Sequence, residues 1–133
     1  MSDAPKDLLA AAAASMANAY APYSDFKVGA AVRSADGKVF AGCNVENAAY
    51  AVVQCAEGNA VGTMVAAGDC KITEILVLTA ADKVASPCGA CRQIINEFAA
   101  ADAKVYLCST DGTSKCIFFR DLLPDAFGPE QLK

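Results

Sequence analysis

The sequence predicts a single α/β domain built on one mixed five-stranded sheet with helices on both faces. Its 133 residues suffice for one hydrophobic core and are too few for two ordinary domains, so we treat residues 1–133 as one unit. Helical and strand-like patterns follow one another in the order α-β-β-α-β-α-β-β-α, which is typical of a sheet covered by helices. Two short turn signals, "ADG" and "TDGT", join consecutive strands, which must therefore run antiparallel.

The N-terminal part is expected to form a helix followed by a hairpin. Ser2 or Asp3 can cap the helix, which we expect to run to about Tyr20, before "APYS" interrupts the helical pattern. Residues 26–34 and 38–46 are apolar and β-branched in part, and they flank the turn signal "ADG". They should pair as an antiparallel hairpin.

Two further helices are expected to alternate with the remaining strands. One should run from near Cys55 to Gly68, and the apolar run "ITEILVLTA" that follows it suits a central buried strand. The segment "SPCGACRQIINEF" should open the third helix, with Ser86 as a possible cap and Ile94, Ile95 and Phe98 on the buried side. The last two strands, "AKVYLCS" and "SKCIFF", should pair antiparallel, and "RDLLPDAFGPEQLK" should end the chain with a short helical turn.

The charge pattern points away from nucleic acids and membranes as partners. The net charge is −4, the isoelectric point is about 4.7, and the eleven Lys and Arg residues are scattered singly. The longest uncharged run, residues 8–24, is mostly alanine and includes polar residues, and Asp3 and Asp7 near its start are unlike a positive leader. We therefore expect an ordinary N-terminal helix and a small molecule as partner.

The counts of cysteine and histidine restrict the chemistry. Seven cysteines are an odd number that fits a full disulfide framework poorly, so free or metal-bound thiols in a reducing cytoplasm are expected. The absence of histidine excludes a Ser-His-Asp triad, a Cys-His pair and an HExxH zinc site. Acid–base catalysis would have to use a carboxylate, a metal-bound water or a lysine.

A C-x-x-C pair, Cys88 and Cys91, stands at the start of the third predicted helix. Alone it is ambiguous between a metal site and a redox dithiol. Cys55 also stands at a predicted helix start, so two neighbouring helix ends could bring three thiolates together. The other four cysteines are expected to be small buried hydrophobic residues: Cys43, Cys70, Cys108 and Cys116.

Three thiolate ligands leave tetrahedral zinc one open position, which a water of pKa near 7 can fill. Glu57, two residues after Cys55, could reach that water and exchange protons with it. The alternative is a solvent-facing glutamate favoured by the helix dipole. Beside three candidate ligands we favour the catalytic interpretation.

The motif "CAE" followed after a strand by "PCGAC" matches the zinc deaminase signature in its all-cysteine form. Further motifs, "YAPYSDFKVGAAV", "GCNVENAAY", "SPCGACRQ" and "LLPDAFGPEQL", lie in order over about residues 20–132. Together they make the chain resemble the small homotetrameric zinc-dependent cytidine deaminases almost end to end. The resemblance implies a cytidine-deaminase-like three-layer fold.

The resemblance also implies a role for particular positions. Glu57 matches the proton shuttle. Three cysteines match the ligands of one zinc ion per subunit: Cys55, Cys88 and Cys91. Five positions match residues that contact the pyrimidine, its leaving amine or the ribose: Phe26, Asn44, Glu46, Ala56 and Ser86. Three more match residues that neighbouring subunits contribute: Ala48, Tyr50 and Phe127.

The implied reaction is hydrolytic deamination of cytidine and deoxycytidine to uridine and deoxyuridine, with zinc-bound hydroxide as nucleophile and release of ammonia, as in pyrimidine salvage. Two alternatives stay open from the residues. One is a deaminase of another aminopyrimidine nucleoside, such as a nucleoside antibiotic. The other is a non-catalytic structural zinc or dithiol protein, which would have no use for Glu57.

One position departs from the family pattern. Close relatives commonly place an arginine directly after the catalytic glutamate, where it donates to the ligand sulfurs, and here that position is Gly58. Zinc with three thiolates carries a net charge of about −1. We expect helix-end N–H groups to compensate in part, with Arg92 as a possible substitute donor.

Overall fold

The computed structural model describes residues 3–80, 82 and 84–133. One mixed sheet forms its centre, with the strand order β2-β1-β3-β4-β5. The strands β3 and β4 are parallel, and the other neighbouring pairs are antiparallel, including both expected hairpins. The strand bounds are β1 (Val28–Ser34), β2 (Val39–Cys43), β3 (Ile72–Thr79), β4 (Ala99–Ser109) and β5 (Ser114–Phe118).

Helices cover both faces of this sheet, as the sequence predicts. The three α-helices are α1 (Lys6–Met16), α2 (Ala56–Ala66) and α3 (Gly89–Phe98). Short 3-10 turns lie at Tyr50–Val52, Phe119–Asp121 and Pro129–Gln131, the last two in the expected C-terminal tail. Among the described residues, no helix has the length and hydrophobicity needed to cross a membrane.

The central strand β3 separates two hydrophobic cores. Leu76 and Leu78 pack with α1 on one face, whereas Ile75 and Val77 belong to the larger core under α2 and α3. Successive side chains of a strand point to opposite faces, and both faces are buried here. This explains why the strand reads as one continuous apolar run.

The first helix is shorter than expected. It begins at Lys6 with Pro5 as N-cap, so Asp3 does not cap it, and Ser2 lies outside the described residues. It ends at Met16, because Tyr20 leaves the helical path and donates its N–H to the Asn44 carbonyl at 3.0 Å. The strands of the first hairpin are likewise shorter than 26–34 and 38–46.

Two expectations about the third helix are wrong. Cys88 rather than Ser86 is its N-cap, and Ile94 is 40% exposed, whereas Ile95 is fully buried and Phe98 packs against the core, as expected. Three of the four other cysteines also differ from the expected burial. Cys108 is buried in β4, but Cys70 and Cys116 are exposed, and Cys43 is half-buried.

A glycine sets the distance between α2 and the sheet. A Cβ added at Gly42 in β2 would lie 2.8 Å from the carbonyl oxygen of Ala56 and closer still to the Ala60 nitrogen. The helix backbone therefore rests directly on the strand, and this contact lies at the N-terminal end of α2, where the candidate site begins.

Candidate metal centre and active site

Three thiols converge where two helices begin side by side. Cys55 is the N-cap of α2, Cys88 is the N-cap of α3, and Cys91 lies in the first turn of α3. Their sulfur atoms all lie within 4.8 Å of one another. The sequence-based expectation that these two helix ends meet is confirmed.

The donor set fits one zinc ion. Sulfurs bound tetrahedrally at about 2.3 Å from zinc are about 3.8 Å apart, so small side-chain adjustments suffice. The backbone N–H of Cys91 lowers the pKa of the Cys88 thiol, as expected for a helix end. Burial raises the pKa of Cys55 and of Cys91. Ionising these two thiols is therefore linked to binding a cation.

Glu57 is inside this site rather than on the surface. It lies in the first turn of α2 and is only 5% exposed. Burial raises the pKa of its carboxyl group, and the neighbouring Cys91 thiol partly offsets this rise. The solvent-facing alternative for Glu57 is wrong, because a carboxyl at this place faces the thiol cluster.

A cavity of about 240 Å³ opens onto the thiols and Glu57. Its walls are mostly apolar, and four of the five expected substrate-binding residues line it: Phe26, Asn44, Ala56 and Ser86. Apolar walls with a few polar groups at one end are typical of a small-molecule site.

Asn44 holds the backbone around Phe26. Its Oδ1 accepts from the Val28 N–H at 2.9 Å, and its Nδ2 donates to the Phe26 carbonyl at 2.8 Å. Glu46, the fifth expected residue, lies in a neighbouring depression that shares Val53 with the cavity. Its carboxylate accepts hydrogen bonds from the loop before β1.

The residues expected to serve neighbouring subunits lie outside the cavity of their own chain. Tyr50 is 73% exposed and packs edge-on against Tyr23, with ring centroids 6.0 Å apart. Phe127 is 58% exposed, and its carbonyl accepts from the Gln93 and Asn96 side chains of α3. Ala48 is also exposed.

The profile of the cytidine and deoxycytidylate deaminase zinc-binding region matches residues 2–108. The chain belongs to this family. A cytidine deaminase from Halalkalibacterium halodurans is 42% identical over 114 residues, which are 86% of each chain. The expected family membership and the expected zinc deaminase class are confirmed.

Solved structures of cytidine deaminases share the whole fold. The enzyme from Burkholderia pseudomallei is 44% identical, with a TM-score of 0.87 over 96% of this chain and 100% of that one. The enzyme from Mycobacterium tuberculosis is 36% identical, with a TM-score of 0.80 over 92% and 95%. The expected cytidine-deaminase-like three-layer fold is therefore confirmed.

This family member does not use Arg92 as a donor to the thiols. Within the described part of the chain, its guanidinium donates to three oxygens: the Pro87 and Leu122 carbonyls and the Ser86 hydroxyl. Arg92 thus ties the loop before α3 to the C-terminal segment. The prediction of a substitute donor is wrong, because the guanidinium N–H groups bond to these oxygens instead of the ligand sulfurs.

Sequence reasoning missed several residues of this deaminase's cavity wall: Val28, Val53, Gln54, Val77, Thr79 and Ala85. Two of them could have been found from the strand alternation. Val77 and Thr79 point to the same face of β3 as Ile75, the face that α2 and α3 cover. Val28 is the first residue of β1, and Val53, Gln54 and Ala85 lie in connecting segments, where the sequence has no comparable period.

Proposed function

We propose that the protein hydrolyses the exocyclic amino group of cytidine and deoxycytidine, giving uridine or deoxyuridine and ammonia. One observation carries this proposal. Three thiols and a buried carboxyl open into one apolar cavity, in a chain that belongs to the deaminase family.

The three thiolates of Cys55, Cys88 and Cys91 would hold the zinc ion, which supplies a Lewis acid that activates water. Glu57 accepts a proton from the attacking water and donates it to ring nitrogen 3 of the pyrimidine. The same carboxyl then carries a proton to the departing amine. Its raised pKa suits a group that must both accept and donate a proton near neutral pH.

The walls of the cavity suit a pyrimidine ring. Phe26, Val28 and Val77 supply apolar surface that excludes water from the reacting atoms. Ala56 is the first residue of α2, where backbone N–H groups have no acceptor within the helix. We assign that backbone and the Ser86 carbonyl to the base and its leaving amine.

Asn44 and Glu46 are assigned to the ribose hydroxyls. The amide of Asn44 keeps one N–H and one lone pair beyond its two backbone hydrogen bonds. Glu46 remains ionised as an acceptor, because the Ser24 hydroxyl and two backbone N–H groups lower its pKa. Both residues would favour a nucleoside over the free base.

We further propose a homotetramer in which Ala48, Tyr50 and Phe127 complete neighbouring cavities. Large hydrophobic side chains that line the cavity or the depression beside it are unusually exposed for an isolated chain, namely Tyr23, Phe26, Tyr50 and Val53. Light scattering should give about 55 kDa, four times the 13.7 kDa of one chain. A monomer at micromolar concentration would contradict this assembly.

The cytoplasm is the proposed compartment. All seven cysteines are free thiols in the structure, including the exposed Cys70 and Cys116. Exposed free thiols suit a reducing compartment.

The test of the proposed reaction is direct. Purified protein is incubated with cytidine, and the ultraviolet shift to uridine is followed with and without a zinc chelator. We expect conversion that the chelator abolishes and added zinc restores. No conversion at high enzyme concentration would contradict the proposed substrate and favour another aminopyrimidine nucleoside or a non-catalytic role.

A further inference from the structure

The loop of residues 21–27, here the aromatic loop, lies between α1 and β1 and carries Tyr23 and Phe26. It consists of a turn followed by irregular backbone, and Asp25 within it has a positive φ of 58°. Such a segment needs partners from elsewhere to hold one conformation. Asn44 and Glu46, just after β2, provide them.

Ser24 connects Glu46 with Phe26 through its hydroxyl group. Its hydroxyl donates to Oε2 of Glu46 and accepts from the Phe26 N–H at 3.0 Å. Oε1 of Glu46 accepts from the N–H groups of Tyr23 at 2.9 Å and Ser24 at 3.1 Å. One hydroxyl therefore connects the carboxylate assigned to the ribose with the aromatic residue assigned to the base.

The remaining acceptor capacity of Glu46 is narrow. A carboxylate offers about four lone-pair sites, and the aromatic loop fills three of them. The open site is on Oε2, the oxygen that the Ser24 hydroxyl orients. That capacity suits one further donor, such as a single hydroxyl group.

We propose that Ser24 is a positioning residue that fixes the Glu46 carboxylate and Phe26 relative to each other before substrate binds. This inference rests on the proposed function, in which Glu46 and Phe26 contact the nucleoside. A positioning role predicts a cost in substrate binding, because the loop must be ordered anew in each complex. It predicts little effect on the proton transfers at Glu57.

The experiment compares Ser24→Ala with Ser24→Thr, which keeps the hydroxyl at this exposed position. For Ser24→Ala we expect KM for cytidine to rise about tenfold, with kcat within about threefold of wild type. Zinc content should stay unchanged, and the melting temperature should fall only slightly, because the hydrogen bonds that are lost lie at an exposed site. Ser24→Thr should restore KM, whereas failure to restore it would overturn the role of the hydroxyl.

A double-mutant cycle with Glu46→Gln tests whether Ser24 acts through Glu46. We expect Ser24→Ala to cost much less in the Glu46→Gln background than in wild type. Fully multiplicative effects on KM, or wild-type KM for Ser24→Ala, would overturn the inference. If Glu46→Gln itself leaves KM unchanged, the ribose assignment in the proposed function fails, and the inference fails with it.

Discussion

Gly42→Ala should damage the active site by displacing the first turn of α2, although Gly42 itself does not line the cavity. The added Cβ would lie 2.8 Å from the Ala56 carbonyl oxygen and from the Asn59 carbonyl carbon. To reach an ordinary contact distance of 3.4 Å, the first turn of α2 must retreat by at least about 0.6 Å. That turn carries Cys55 and Glu57, whereas Cys88 and Cys91 stay on α3.

A displacement of this size is large for catalysis, because a misplacement of about 1 Å can cost about 100-fold in rate. We expect kcat/KM for cytidine to fall about 10- to 100-fold and zinc to leave faster in the presence of a chelator. Overpacking should also lower the stability by about 1–3 kcal/mol. Steady-state kinetics, zinc release and thermal unfolding measure the three effects.

Gly29→Ala is the matched control. Its Cβ would lie 2.7 Å from the Met16 Cβ and closer to the Ala12 carbonyl oxygen, so it displaces α1 on the opposite face of the sheet. We expect a similar loss of stability with kcat within about threefold of wild type. Equal kinetics for the two variants would refute the idea that the Gly42 contact positions the site.

Three further substitutions give independent tests. Gly58→Arg should fit, since its Cβ would meet Ile94 Cδ1 at an ordinary 3.6 Å. We expect slower zinc release and about 1 kcal/mol more stability. Unchanged zinc release would refute the idea that an arginine here offsets the negative charge of the three thiolates. Thr79→Val removes a buried hydroxyl with no hydrogen-bond partner among the described residues, so stability should rise by about 1 kcal/mol, and a fall would contradict this. The Ser24 hydroxyl lowers the pKa of Glu46, so the ionised carboxylate stabilises the fold above about pH 4.5 and less as pH falls. The difference in unfolding free energy between wild type and Glu46→Gln should therefore shrink on acidification. A difference that stays constant with pH would count against stabilisation by the ionised carboxylate.

The sequence predicts the elements of this fold well because their signals are local. The hairpin around "ADG", the central strand and the helix starts at Cys55 and Cys88 all follow from periodicity and turn residues. Element ends were less predictable. The first helix stops at Met16 because Tyr20 pairs with residues near Asn44, a contact that no local pattern contains.

The candidate site shows the same contrast between local sequence signals and long-range contacts. The thiol cluster and Glu57 could be located from motifs, because the chemistry requires those residue types at those spacings. The hydrogen bond between Ser24 and Glu46 spans 22 residues, and that between Arg92 and the Leu122 carbonyl spans 30. Such contacts depend on how loops pack, so the sequence predicted neither the Ser24 contact nor the true partners of Arg92.

The most direct test of the central claim is the turnover of zinc-loaded Glu57→Gln on cytidine. The amide is nearly the same size as the carboxyl and cannot carry the proton. We expect wild-type zinc content and melting temperature, with kcat lower by at least about 1,000-fold. Turnover near wild type at full zinc occupancy would contradict the proposed role of Glu57.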